Sequence, residues 1–158
     1  MKIRSDLIGL TTERAVASLD GLPRATGYHV VVKPLRYRER PHLSAWTSFE
    51  EHQIVVQVPE PFLPFGEVVP YAARRRPGKG MRFIWLTEGV TFSTRAQVLR
   101  FLYLHEWMHW YLRERLGRKS RAETACDRFA LRNYRRRIVT EEDAVAALRR
   151  TGSENTAD

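Results

Sequence analysis

The sequence predicts a small α+β domain, with an antiparallel or mixed sheet of three to five strands packed on a central helix and on the helix that follows it. Three observations carry this. All eight prolines fall between Pro23 and Pro77, so helix-breaking residues are confined to the first half. That half holds short β-branched runs bounded by turn residues. Beyond Thr94 the apolar period lengthens and helix-capping patterns recur. A chain of 158 residues suits one domain, taken here as 1–150, with a small polar tail, 151–158, expected to be disordered.

In order along the chain, Thr11 or Thr12 can cap a short helix over 13–20, closed by Gly21 and Pro23. Residues 28–33 (Tyr-His-Val-Val-Val-Lys) read as a strand ending at Pro34. Residues 43–48 and 53–58 are further strands, with turns at 36–41 and 48–51, so an antiparallel meander is the economical arrangement. The stretch 59–70, apolar and interrupted by proline, is expected to pack without regular structure. The run 74–80 (Arg-Arg-Arg-Pro-Gly-Lys-Gly) reads as a solvated basic tip, because no aromatic residues interleave the charges to stack bases. Residues 81–86 form a last strand. Thr94 and Gln97 then make a capping box for a long helix over about 95–116, which Gly117 ends in a left-handed conformation. Ser120 and Glu123 make a second box, opening a helix towards Tyr134, and Thr140 opens a third over 141–150. The chain holds no internal repeat and no low-complexity tract.

Charge and cysteine content bound the function classes. The formal net charge is +9, carried mostly by arginine, with lysine only at Lys2, Lys33, Lys79 and Lys119. This is compatible with DNA or a DNA-binding protein as partner, or with a plain compositional bias. Cys126 is the single cysteine, which excludes an internal disulfide and suits a reducing compartment. No run reaches the roughly 20 apolar residues of a membrane span. The first residues lead into no long apolar stretch. A cytoplasmic protein without membrane contact is the expectation.

The chemistry lies in the central helix, at His105-Glu106-Trp107-Met108-His109. Histidines four apart project from one helical face and can grip one ion through imidazole nitrogens. Glu106 is rotated by about 100° from His105, which sets its carboxylate beside the ion as a general base. The uncharged neighbours Trp107, Met108, Trp110 and Tyr111 read as packing residues that bury the flanks. On ligand type, Zn2+ is the expected metal. The bland alternative is a pair of histidines packed on a buried stripe. A third protein ligand is needed. No histidine follows His109, and His29, His42 and His52 all lie in the strand region. Glu123 and Asp127 are the acidic candidates. In one arrangement Glu123 is the ligand and Asp127 holds the outer nitrogen of His105. A tight antiparallel hairpin would exchange the roles, and Glu123 also has a local reason to exist in its capping box. Tyr134 could steady an oxyanion or simply pack. Cys126 reads as a small buried residue.

His105-Glu106-x-x-His109 followed by Glu123-Thr124-Ala125-Cys126-Asp127 resembles the gluzincin pattern. Residues 123–130 (Glu-Thr-Ala-Cys-Asp-Arg-Phe-Ala) are similar to the second motif of the ImmA/IrrE family, Glu-x-x-Ala-Asn-x-Phe-Ala. The resemblance covers about 101–131 and departs from the family at Cys126 and Asp127, and in having no proline after Pro77. It implies a zincin-like fold and a small intracellular zinc peptidase that acts on a DNA-binding regulator. It implies His105, His109 and Glu123 as ligands and Glu106 as general base. A strand near the metal, 81–86 or 53–58, would hold the protein or peptide substrate by edge pairing. The competing expectation is a basic nucleic-acid-binding or interaction protein whose zinc site is structural.

Overall fold

The computed structural model describes residues 1–76, 82–119 and 122–149. They form β1 (Lys2–Ser5), α1 (Thr12–Ser18), β2 (His29–Leu35), β3 (Ser44–Ser48), β4 (Gln53–Pro59), β5 (Phe65–Arg76), β6 (Arg82–Phe92), α2 (Arg95–Trp110), α3 (Glu123–Asn133) and α4 (Glu141–Leu148). The architecture is α+β, as expected, with four helices among the described residues. No helix there is long and apolar enough to cross a membrane.

The main sheet is mixed, in the order β1-β2-β4-β3. The expected meander is corrected. β2 pairs in parallel with both β1 and β4, and only β3 runs antiparallel, along the outer edge of β4. The physical reason is visible in β2 and β4, each with three consecutive fully buried residues (Val30–Val32 and Ile54–Val56). Strands covered on both faces suit interior, parallel positions. β1, absent from the sequence reading, supplies the other edge. It is only four residues long and half exposed, so its pattern is too weak to read alone.

β5 and β6 form a separate antiparallel hairpin. Phe65 to Pro70, expected to be irregular, begins β5, and Pro70 falls where the register shifts. Proline is tolerated there because this ladder has two free edges and a bulge. Arg74, Arg75 and Arg76 belong to β5 and not to a loop tip. Residues 77–81 and 150–158 lie outside the described residues, and with them the rest of the expected basic tip, Met81, the last residue of the expected third helix and the tail.

α2 runs through the middle of the domain. Val98, Leu99, Phe101 to Leu104, Glu106 to Met108 and Trp110 are all buried, so the helix has almost no solvent face. A helix apolar all round is a core helix. It packs on β3, β4, α1 and α3. Its capping box forms as expected, with Thr94 accepting from the Gln97 amide and Gln97 accepting from the Thr94 amide. Trp107 anchors its centre: the indole N–H donates to the Arg24 carbonyl at 3.0 Å, and the ring stacks on Tyr111 at 5.1 Å.

The expected helix over 95–116 divides in two. After Trp110 the chain widens into one π turn, Tyr111–Arg115, in which the Leu116 amide donates to the Tyr111 carbonyl. Gly117 (φ 63°) then ends it in the left-handed region, as expected. Glu123 is the first residue of α3, and Ala122, itself left-handed at φ 42°, precedes it without a side-chain cap. Ser120, the other half of the expected second capping box, lies outside the described residues. Thr140 caps α4 with Asp143.

Candidate metal centre

The two histidines of α2 meet the first turn of α3. His105 Nε2 and His109 Nε2 stand 3.2 Å apart. Glu123 Oε2 is 3.1 Å from His105 Nε2, and Glu123 Oε1 is 3.1 Å from His109 Nε2. Four ligand atoms bound tetrahedrally at about 2.0–2.1 Å lie roughly 3.3–3.4 Å from one another. Two imidazole nitrogens 3.2 Å apart, each 3.1 Å from one oxygen of the same carboxylate, are close enough to share one small cation. His105, His109 and Glu123 form a cluster that could hold a metal ion.

The antiparallel course of α3 on α2 sets the roles. Glu123 is level with His105 and His109. Asp127, one turn on, reaches His105 Nδ1 with Oδ1 at 2.8 Å. Tyr134, two turns further, lies against Phe101. Asp127 thus grips the outer nitrogen of His105 and is not in the ligand cluster. This fixes the imidazole so that Nε2 faces the cluster. The seven residues between Arg115 and Glu123 let Glu123 return to His109, which a tight hairpin could not do. Tyr134 is not brought to the site. Its ring packs between Phe92 and Phe101, and its hydroxyl accepts from Arg135 Nε at 2.8 Å. Cys126 is fully buried in the core, where burial pushes its thiol well above the ordinary range and leaves it inert. Of the upstream histidines, His52 stacks on Tyr28 at 5.1 Å, away from the cluster.

Glu106 is buried beside the cluster. Its Oε1 is 4.0 Å from His105 Nε2, too far to share the ligand position. The other oxygen, Oε2, accepts a hydrogen bond from Thr47 Oγ1 at 2.7 Å. Thr47 lies on β3 and was not singled out from the sequence. A threonine in a strand carries no sequence signal for this, and its partner is 59 residues away.

Electrostatics follow from this packing. Burial opposes the charge on His105, but its bonds to Asp127 and Glu123 outweigh it and raise the imidazolium to about 10. The same two histidines hold the Glu123 carboxyl far below the usual carboxylate range. A divalent ion would compete with the His105 proton for the same ligand atoms.

The cluster opens into a cleft of about 460 Å3. The cleft is lined by Ala45, Trp46, Thr47 and Phe49 of β3 and the turn after it, by the cations Arg113, Arg118 and Lys119, and by Glu106, His109 and Glu123. A second recess beyond Glu123 is bounded by Pro70, Trp85 and Thr124. The outer edge of β3 carries no partner strand among the described residues. This corrects one of the two expected docking strands, 53–58, while β6, which holds 82–86, pairs only with β5 among the described residues. Residues 53–58 are interior, between β2 and β3, so their backbone groups are already paired. Comparison of the chain with protein-family models, curated proteins and solved structures gives no match.

Proposed function

We propose that this chain is a zinc-dependent endopeptidase with a zincin-like site. One observation carries the reading. A buried carboxylate, Glu106, is held by Thr47 beside a His-His-Glu cluster rather than within it, at the floor of an open cleft. A structural zinc site closes its coordination with four protein ligands, whereas a catalytic one keeps a position free. Three donors and a neighbouring unliganded carboxylate favour the second kind. Two imidazoles, one carboxylate and an open position are a ligand set that catalytic zinc sites use.

When bound, zinc acidifies water and polarises a carbonyl oxygen. The remaining chemistry belongs to this chain. Glu106 accepts a proton on its carboxylate and returns it to the departing amine. Thr47 keeps that carboxylate turned towards the cleft. Asp127 keeps His105 oriented. The free edge of β3 can pair with an extended peptide and lay it across the cluster. The resemblance of residues 123–130 to ImmA/IrrE proteins supports a DNA-binding regulator as substrate.

The test is Glu106→Gln. Metal content measured on the purified variant should stay at one zinc per chain, while peptide hydrolysis falls about 10²–10⁴-fold, as expected for loss of a general base. Full activity in the variant would refute the assignment. Loss of zinc would instead make Glu106 a ligand.

A further inference from the structure

The cleft has an uneven charge. Three cations, Arg113, Arg118 and Lys119, line it, and none is ion-paired with a carboxylate among the described residues. Outside the cleft, Arg115 pairs with Glu141 at 3.3 Å and Arg136 with Asp143. The nearby carboxylates are committed elsewhere. Glu123 is bonded to both histidines, Glu106 to Thr47, and Glu114 accepts from Tyr28 Oη at 2.7 Å. A divalent cation at the cluster would add further positive charge.

Arg113 is also held in place. Its guanidinium lies 4.4 Å from the centre of the Phe49 ring, which also lines the cleft. Cation–π contact fixes the head group and displaces part of its hydration, leaving its N–H donors for an anion. The left-handed turn at Gly117, where the Arg118 amide donates to the Leu112 carbonyl, ends the helix and places Arg118 and Lys119 in the lining of the cleft.

Resting on the peptidase reading above, we propose that the cleft takes extended peptides bearing an acidic side chain next to the metal centre, met by Arg113, Arg118 and Lys119. Asp or Glu on one side of the reacting bond then sets specificity, and the β3 edge supplies the backbone pairing. A peptide is favoured over a nucleic acid because the outer edge of β3, without a partner strand among the described residues, matches a peptide backbone and not a phosphodiester. Opposed charges also speed encounter and reject basic sequences by repulsion.

Two measurements on the full chain test this. In the first, the zinc-loaded protein digests a proteome-derived peptide library and cleavage sites are read by mass spectrometry. Asp or Glu should be enriched on one side of the bond. In Arg118→Ser/Lys119→Ser the acidic-over-neutral ratio of kcat/KM should fall about tenfold, and in Arg118→Glu/Lys119→Glu the preference should turn towards Lys and Arg. Both positions are exposed, and circular dichroism checks that the variants fold. In the second, fluorescence anisotropy follows a labelled Asp/Glu decapeptide and its Asn/Gln counterpart on zinc-loaded Glu106→Gln. Tighter binding of the acidic peptide, lost in the added Arg118→Ser/Lys119→Ser background, is expected. Cleavage without acidic preference, or a preference that survives both double variants, overturns the proposal. No cleavage at all, together with selective acidic binding, overturns the peptidase reading and leaves the acidic docking site standing.

Discussion

At the scale of residues, the centre depends on a few directed contacts. Asp127 meets His105 Nδ1 at 2.8 Å. Asp127→Asn should weaken zinc binding about 10–100-fold, as removal of an outer-shell carboxylate does, measured by competition with a chromogenic chelator. The titration of His105 fixes the direction of a pH effect. Its folded value, about 10, lies above the ordinary 6.5. In the metal-free protein its stabilising pairing is fully present below 6.5 and is lost as pH rises through about 10. Glu123, held below its ordinary 4.5, contributes above that value and loses its contribution as pH falls. Zinc must displace the His105 proton, so its uptake near neutral pH should release about one proton. Calorimetry in buffers of different ionisation enthalpy measures that number, and metal affinity should rise with pH. An enthalpy independent of the buffer would mean that no proton leaves the site.

At the scale of elements, two glycines have different duties. Both are left-handed, Gly21 at φ 81° and Gly117 at φ 63°. A methyl group at Gly117 meets open space, so Gly117→Ala should cost about 1 kcal/mol of backbone strain alone. At Gly21 a Cβ would lie on the Arg137 carbonyl oxygen, and the Gly21 carbonyl accepts from the Val139 amide at 2.9 Å. Gly21→Ala should therefore cost about 2–3 kcal/mol and lower Tm clearly more than Gly117→Ala in parallel thermal melts. The sequence identified Gly21 and Gly117 as helix terminators, because turn chemistry is local. It could not place Gly21 against the segment before α4, since that approach joins residues more than a hundred positions apart.

At the scale of the whole molecule, α2 gathers the domain. Arg100 donates from Nε to the Tyr134 carbonyl at 2.9 Å and from Nη1 to the Ser18 carbonyl at 2.8 Å, joining α1, α2 and the end of α3. At the other end of α2, a metal held by His105, His109 and Glu123 would tie α2 to α3. Zinc at a hundredfold excess over its Kd should stabilise the fold by about 2.7 kcal/mol. Thermal melts should then show Tm falling on chelation, by roughly 5–10 °C for a chain of this size, and recovering when zinc is restored. In His105→Ala the melt should no longer respond to zinc. A response that persisted there would place the stabilising metal elsewhere.

The sequence by itself determined what is written within one turn or one helical repeat. It gave the α+β class, the central helix and its cap, the left-handed stop at Gly117, and the shared face of His105 and His109. It also offered Glu123 and Asp127 as partners without ranking them by geometry. Tertiary structure alone decided the rest. It made the sheet mixed rather than a meander, set Asp127 on the outer nitrogen of His105, sent Tyr134 into an aromatic cluster, and brought Thr47 of the edge strand to Glu106. Local patterns record which face of an element is apolar, whereas the register between elements far apart in sequence is fixed only when their side chains pack together.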